Sequence, residues 1–191
     1  MARDSYRLLN QREVYRNPWL KVEAHEIVHP SGAPGEHLLV VTPQSCGVVV
    51  EDRGDLLFTR QPRFAARRLV TEIVKGGSNA GELPLDSAKR ELREELGITA
   101  RRWSDLGTLY EIPSIVEPPV ILFLARELEY AVSDPAAEES ISAVRFTVGA
   151  ALEAAVSGEI EDAVTIAALF RFAVSSEYFN LRRKAHAQDD Y

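Results

Sequence analysis

The segment from Gly76 to Ile98, GGSNAGELPLDSAKRELREELGI, carries the most informative pattern of this chain. A glycine-rich stretch precedes a run that is predicted to be a helix ending at Gly97. In that run, Glu91, Glu94 and Glu95 have the spacing that places side chains on one helical face. Carboxylates placed in this way repel one another, and Mg²⁺ or Mn²⁺ would offset the repulsion. The glutamates alone do not separate a metal site from a solvated acidic helix face, which is the commoner meaning of such a charge run.

The spacing of the whole segment favours the metal site. It fits the pattern G-x5-E-x7-R-E-U-x-E-E-x-G-U, in which U is aliphatic, at every specified position: Gly76, Glu82, Arg90, Glu91, Leu92, Glu94, Glu95, Gly97 and Ile98. A chance match at a given start is on the order of 10⁻⁸ likely at average residue usage. This pattern is the Nudix box, and the chain resembles the Nudix hydrolase family.

The resemblance implies metal-dependent hydrolysis of a P–O–P bond in a substrate that links a nucleoside diphosphate to another group. It implies roughly two or three Mg²⁺ or Mn²⁺ ions with substrate bound. The implied metal ligands are the Gly76 carbonyl oxygen and the carboxylates of Glu91, Glu94 and Glu95. Arg90 lies four residues before Glu94 and can hold that carboxylate, while Glu82 can anchor Arg90 or a metal-bound water.

The general base is expected outside the box. In several Nudix hydrolases it lies on a loop before a late strand, and the segment 134–141, DPAAEESI, occupies the corresponding region. Glu139, two residues before Ile141, is the preferred candidate, and Glu138 is the next. The alternative is a solvated acidic loop without a catalytic role.

Segments outside the box resemble ADP-ribose pyrophosphatases. Gln61-Pro62-Arg63 resembles their Q-x-R segment, and the run 72–76, EIVKG, resembles E-L-P-x-G. Pro113 lies fifteen residues beyond Ile98, where that subfamily carries a marker proline. Arg63, Glu72 and Pro113 are therefore the candidate substrate-binding residues. The Arg63 guanidinium matches phosphate oxygens, although it could equally be a surface arginine.

Departures from that subfamily leave the substrate open. Val74 replaces the proline of E-L-P, and Ser114 replaces the glycine of S-P-G. Lys75-Gly76 and Pro113-Ser114 look instead like the related ADP compounds hydrolases, which act on ADP-ribose, diadenosine polyphosphates and reduced dinucleotides. The first expectation is hydrolysis of ADP-ribose or a similar ADP-sugar to AMP and a sugar phosphate. The alternatives are an ADP compounds hydrolase and a non-catalytic ligand sensor.

Composition narrows the class of partner. The chain has 191 residues, a length typical of one domain with a small appendage, and its net charge of −7 argues against binding nucleic acid or an anionic membrane. The expected partner is a small-molecule nucleoside diphosphate, whose charge a divalent metal would bridge. Cys46 is the only cysteine, which favours a reducing compartment. The start lacks a signal-like apolar segment, and no apolar run approaches about 18 residues. We therefore expect a cytoplasmic protein.

Strand and turn signals surround the box. Residues 19–42 alternate on both sides of the turn Pro30–Gly35 and predict a hairpin. Residues 46–51 and 56–60 predict a second hairpin. The further predicted elements are strands 69–74, 106–112, 120–126 and 141–147 and helices 85–96, 149–156 and 161–174.

Hairpins exclude a purely parallel sheet, so the expected class is α/β in the α+β sense. The resemblance implies the Nudix fold, an α/β/α sandwich with a mixed sheet, and adds an N-terminal β-hairpin extension. We divide the chain into an N-terminal β extension (1–44), a Nudix hydrolase domain (45–180) and a polar C-terminal tail (181–191). In ADP-ribose pyrophosphatases an extra N-terminal sheet exchanges between subunits, so a homodimer through the hairpin is expected. The hairpin could also pack on its own domain.

Overall fold

The computed structural model describes residues 5–130 and 140–175, which form two β-sheets and three helices. The strands are β1 (Arg7–Arg16), β2 (Lys21–Val28), β3 (Pro34–Val41), β4 (Ser45–Asp52), β5 (Asp55–Arg63), β6 (Arg68–Glu72), β7 (Val74–Gly77), β8 (Ile98–Leu109), β9 (Val116–Glu117), β10 (Val120–Tyr130) and β11 (Ser142–Thr147). The helices are α1 (Pro84–Leu96), α2 (Val148–Ser157) and α3 (Ala163–Val174). The candidate bases Glu138 and Glu139 and the tail 181–191 lie outside the described residues.

The first sheet is N-terminal and has the strand order β1-β2-β3-β9. Strands β2 and β3 are antiparallel, with His25 opposite His37, which confirms the hairpin predicted for residues 19–42. Strand β1 pairs with β2 along its length, and all of its residues are exposed. The short strand β9 joins β3 in parallel through Val40 and Val116. This sheet contains the expected N-terminal β-hairpin, β2 and β3, and strand β1 adds to it beside β2.

The second sheet is mixed and has the order β11-β5-β4-β10-β8, with β6 paired to β5 and β7 to β4. Strand β10 runs parallel to β4, while the other pairs are antiparallel. The β4–β5 connection has two residues with positive φ, Arg53 at 55° and Gly54 at 93°. That pair of left-handed residues is the geometry of a tight two-residue hairpin turn.

Side chains of β4 alternate between two hydrophobic cores, as the period of a strand requires. Cys46, Val48 and Val50 pack on the side of Leu92 from α1. Val49 packs on the other side, in a core that includes buried residues of α2 and α3. Burying a side chain of this size contributes about 1.5–3 kcal/mol. Helices therefore cover both faces of the mixed sheet, which confirms the predicted α/β/α sandwich.

Helix α1 has sequence-encoded ends. Pro84 stands in its first turn, where the missing N–H costs nothing. Gly97 has a left-handed φ of 66°, and its N–H donates to the carbonyl oxygens of Arg93 and Leu92. Ala88 and Leu92 are fully buried on the face that meets the sheet. The box glutamates on α1 differ in exposure, because Glu94 is exposed, Glu91 is partly buried and Glu95 is buried.

Two predicted strands differ from the structure. The strand expected at 69–74 is divided into β6 and β7 at Ile73, because the Ile73 N–H donates to Thr165 Oγ1 at 3.0 Å instead of to a neighbouring strand. The strand expected at 106–112 begins earlier, at Ile98, and ends at Leu109. In the described part of the chain, no helix has the length and apolar character needed to cross a membrane.

Candidate active site

The box loop brings Gly76 against α1. Gly76 lies on β7 opposite Cys46 of β4, and a Cβ atom at Gly76 would overlap the Glu91 carboxylate. Only a residue without a side chain leaves room for that carboxylate beside the strand. The structure therefore gives a steric reason for a glycine at this position of the box.

Arg90 gathers the acidic residues of the box. Its Nη1 donates to Glu91 Oε1 at 2.7 Å and to Glu94 Oε2 at 2.8 Å. Its Nη2 donates to the Gly77 carbonyl oxygen at 2.7 Å, and its Nε donates to Glu82 Oε1 at 3.1 Å. One guanidinium thus holds three carboxylates and the loop backbone, a task that suits its planar fork of donors.

Glu82 anchors this arrangement from the loop side. Besides Arg90, it accepts hydrogen bonds from the Asn79 N–H at 2.8 Å and from Ser87 Oγ at 2.9 Å. The hydrogen bond from Arg90, with that from Asn79, lowers the pKa of Glu82 to about 2. Glu82 in turn is the largest contributor that raises the pKa of Arg90. The pair therefore stays charged at neutral pH and holds the loop to α1.

The three predicted metal ligands on α1 differ in their surroundings. Glu95 is buried, with 8% of its surface exposed, whereas the Glu94 side chain is 47% exposed. Across residues 5–130 and 140–175, no three His, Cys, Asp or Glu side chains are arranged to hold a metal ion. Arg90 bridges Glu91 and Glu94 instead. The oxygen donors nevertheless have the hard character that Mg²⁺ and Mn²⁺ prefer. The donor set therefore fits such an ion if the carboxylates exchange hydrogen bonds from Arg90 for bonds to the metal.

A pocket of about 250 Å³ adjoins the box loop. Its lining consists of Ser45, Cys46, Arg63, Lys75, Gly76, Gly77, Glu111 and Val120. Two cations, Arg63 and Lys75, therefore stand in the same cavity as the loop that packs on Glu91. The pocket joins the predicted substrate residue Arg63 to the box, and it is the candidate active site.

A charged network holds both pocket cations in place; we call Arg63, Glu72, Lys75 and Asp162 the cation network. Arg63 donates to Glu72 through Nη2 at 2.6 Å and through Nε at 3.0 Å. Burial lowers the pKa of Arg63, but the hydrogen bonds to Glu72 act together with the negative charges of Glu72, Glu95 and Asp162, and the pKa is raised overall. Lys75 Nζ lies 3.5 Å from Glu72 Oε1 and 2.7 Å from Asp162 Oδ1. The two carboxylates balance the charge of the two cations, which offsets the cost of partly burying them.

Asp162 ties this network to α3. It is the N-cap of that helix and accepts hydrogen bonds from Thr165 N at 2.8 Å and Thr165 Oγ1 at 2.6 Å. Burial raises the pKa of Asp162, but Lys75 and Thr165 lower it more, so it remains ionised at neutral pH. The start of the last helix therefore fixes the position of a pocket cation.

The structure brings together most, but not all, of the predicted site residues. Glu72, one of the candidate substrate-binding residues, is already paired with Arg63. Pro113 is exposed on the segment between β8 and β9 and does not line the pocket. Glu138 and Glu139 lie outside the described residues.

Three charged residues of the pocket and the cation network were not among the predicted site residues: Lys75, Glu111 and Asp162. Lys75 had a signal, because it immediately precedes the first glycine of the box. Asp162 also had one, as a helix N-cap three residues before Thr165. Glu111 had none, because it follows a strand whose end the sequence did not locate.

Known proteins resemble both parts of the chain. The family model for the NUDIX domain matches residues 41–169, and the model for the nucleoside diphosphate sugar hydrolase N-terminal domain matches residues 6–39. An ADP-ribose pyrophosphatase of Bacillus subtilis (strain 168) is 26% identical over 181 residues, which cover 93% of this chain and 94% of the relative. An ADP-ribose pyrophosphatase of Mycobacterium tuberculosis (strain ATCC 25618 / H37Rv) is 32% identical over 124 residues, 63% of this chain and 59% of the relative. The crystal structure of an ADP compounds hydrolase has the same fold, with a TM-score of 0.77 and 21% identity over 87% of this chain and 91% of that one.

Proposed function

Because the chain belongs to the NUDIX domain family, we propose that it hydrolyses the diphosphate bond of ADP-ribose or a similar ADP-sugar, giving AMP and a sugar phosphate. The family and the named relatives make it a pyrophosphohydrolase of nucleotide-sugar diphosphates. The choice of ADP-ribose rests on the two relatives named as ADP-ribose pyrophosphatases.

One observation carries the proposal: the two cations Arg63 and Lys75 line the same small pocket as Gly76 and Gly77 of the box. A diphosphate needs cationic donors on its oxygens and an acidic metal site beside its phosphorus atoms. Glu72 and Asp162 hold the cations in position before substrate arrives, which reduces the cost of ordering them.

The metal ligands that we propose are Glu91, Glu94, Glu95 and the carbonyl oxygen of Gly76. Bound Mg²⁺ or Mn²⁺ would neutralise charge on the phosphates and would lower the pKa of a bound water, which makes that water a better nucleophile. Arg90 holds Glu91 and Glu94 near one another, which limits the repulsion between their carboxylates. Glu82 keeps Arg90 in place by accepting from its Nε and Nη2 at 3.1 Å each.

Glu139 is the proposed general base, with Glu138 as the second choice. Strand β11 supports this choice, because Ser142 pairs with Arg60 on β5, three residues before the pocket residue Arg63. Strand β11 thus begins at the end of β5 that carries the pocket residue Arg63. Glu139→Gln is expected to lower turnover by about 10²-fold or more, as for loss of a general base, and to leave metal affinity nearly unchanged. An equal loss of metal affinity would show that Glu139 is a ligand instead.

Activity on other ADP compounds is the second candidate function. Lys75 before Gly76 favours it, as does the fold shared with an ADP compounds hydrolase. Diadenosine polyphosphates and reduced dinucleotides therefore belong in any substrate test. The complete set of box carboxylates argues against a ligand sensor without catalytic activity.

The direct test incubates the protein with ADP-ribose and either Mg²⁺ or Mn²⁺ and measures AMP by chromatography. We expect AMP and ribose phosphate in equal amounts, and no product after chelation of the metal. Parallel reactions with ADP-sugars, reduced dinucleotides and diadenosine polyphosphates rank the substrates. If none of these compounds yields AMP, the proposed function is wrong.

A homodimer through the first sheet is part of the proposal, together with a cytoplasmic location. Strand β1 leaves Leu8, Leu9, Val14 and Tyr15 at least half exposed, an apolar surface that a partner subunit would cover. Sedimentation is expected to give twice the mass of the chain, and Leu9→Glu with Val14→Glu is expected to give the single mass. A wild-type protein that sediments as a monomer would contradict the dimer.

Cys46 is buried and its pKa is raised to about 12, so it has no reactive thiolate at neutral pH.

A further inference from the structure

Glu111 is a carboxylate in a pocket that is otherwise suited to phosphate. It is exposed, and it lines the pocket together with Arg63, Lys75 and the box glycines. Among the described residues, neither pocket cation forms an ion pair with Glu111, because Arg63 binds Glu72 and Lys75 binds Glu72 and Asp162. Glu111 therefore adds negative charge to the pocket without neutralising the cations.

A carboxylate at this place has a clear chemical preference. It accepts hydrogen bonds from hydroxyl groups, and it repels phosphate oxygens at short range. A pocket built for a longer polyphosphate chain would place cations along the whole chain. Here the lining contains the two cations Arg63 and Lys75 and also the carboxylate of Glu111. The lining as a whole matches a ligand that passes from phosphate to hydroxyl groups.

The size of the pocket points in the same direction. A volume of about 250 Å³ lies just below the ~300–1,000 Å³ of sites that enclose a drug-sized ligand. It has room for a diphosphate and one sugar, and the remainder of a nucleotide would lie outside it. The hydroxyl groups nearest to the diphosphate are those of the sugars on either side.

We propose that Glu111 determines specificity by accepting hydrogen bonds from sugar hydroxyls of a nucleoside diphosphate sugar and by excluding longer polyphosphates. This inference rests on the proposed function and narrows it to diphosphate-linked sugars. Glu111 takes no part in the bond-breaking step. Its effect is on which ligand enters, through one attraction and one repulsion in the same pocket.

Glu111→Gln tests the proposal, since it removes the charge and keeps the shape. The ratio of kcat/KM for ADP-ribose to kcat/KM for diadenosine tetraphosphate is measured in the wild type and the variant. We expect the ratio to fall by about tenfold, the size typical of one lost hydrogen bond to a charged group. The value for ADP-ribose should fall and that for the tetraphosphate should rise. Glu127→Gln, an exposed β10 residue outside the pocket, is the matched control and should leave the ratio unchanged.

An unchanged ratio would overturn the proposal, whether both kcat/KM values stay the same or fall by the same factor. Glu111→Asp keeps the charge on a shorter side chain and should still reject the tetraphosphate. Circular dichroism melts confirm that each variant is folded.

A binding measurement separates this proposal from the proposed function. Calorimetry compares the non-hydrolysable methylene analogue of ADP-ribose with methylene ADP, which lacks the second sugar. We expect wild type to prefer the sugar-bearing analogue and Glu111→Gln to lose about tenfold of that preference. If Glu111→Gln loses the preference and the wild type hydrolyses none of the substrates, the proposed function is wrong but the role of Glu111 in binding stands. No preference in the wild type would overturn the role of Glu111.

Discussion

The box and the cation network meet at one pocket but are assembled in different ways. The box comes from one continuous segment, Gly76 to Ile98, in which Arg90 binds Glu82, Glu91 and Glu94. The cation network takes Arg63 from β5, Lys75 from β7 and Asp162 from the start of α3. Local spacing is sufficient to build the first, whereas the second exists only after the sheet and the last helix have packed. Substitutions in the two regions should therefore affect chemistry and substrate binding to different extents.

The largest effect is expected from Glu94→Gln. The Glu94 side chain is 47% exposed and bound to Arg90, so its loss removes a proposed metal ligand and little packing. We expect kcat to fall by about 10²-fold or more, as for removal of a group that stabilises charge in the transition state. The melting temperature should change little, because exposed ion pairs contribute little to stability.

Glu153→Gln is the matched control for Glu94→Gln, since Glu153 is an exposed helical glutamate on α2. Steady-state kinetics and metal titration are measured on both variants. Unchanged kcat and metal affinity in Glu94→Gln would mean that this face of α1 is only a solvated surface.

A smaller loss is expected from Gly76→Ala, which tests the box at the backbone. The added Cβ would overlap the Glu91 carboxylate, and Arg90 restrains the movement of that carboxylate. We expect metal affinity to fall by about 10–100-fold, the range for disturbing the surroundings of a metal site. Gly77→Ala is the control, because a Cβ at Gly77 would meet only Pro43 at 3.6 Å, an ordinary contact. Equal metal affinities in the two variants would contradict the steric role of Gly76.

The two regions also differ in how well their contacts could be predicted from the sequence. Glu82, Arg90 and the helical glutamates could be placed because helix geometry and a fixed spacing determine their neighbours. The split at Ile73 could not, since it depends on Thr165, 92 residues further along the chain. The pairing of Lys75 with Asp162 likewise depends on tertiary packing across 87 residues. Short-range periodicity contains no information on contacts of that kind.

A moderate effect on binding is expected from Asp162→Asn, which tests the cation network. Asparagine preserves the N-cap of α3, so the helix should remain stable. The negative charge beside Lys75 is lost, and among the described residues the ion pair that remains for the ammonium group is with Glu72 at 3.5 Å. We expect KM for ADP-ribose to rise by about 3–10-fold with a smaller change in kcat, the pattern for loss of ground-state binding. Asp162→Ala, which also loses the cap, should in addition cost about 1 kcal/mol of stability. A change in kcat alone would place Asp162 with the chemistry of the box.

The smallest effect is expected on stability, through Glu82. Its pKa in the folded protein is about 2, below the ordinary value of 4.5, because Arg90 and the Asn79 N–H bind the ionised carboxylate. A lowered folded pKa contributes stability that is fully present above about 4.5 and is lost as the pH falls through about 2. The difference in melting temperature between wild type and Glu82→Gln should therefore be constant from pH 7 to pH 5 and shrink below pH 4.5. Asp86→Asn, which removes an exposed carboxylate from the first turn of the same helix, is measured in parallel as the control. A difference that persists unchanged at pH 2 would mean that Glu82 holds the loop by shape and not by charge.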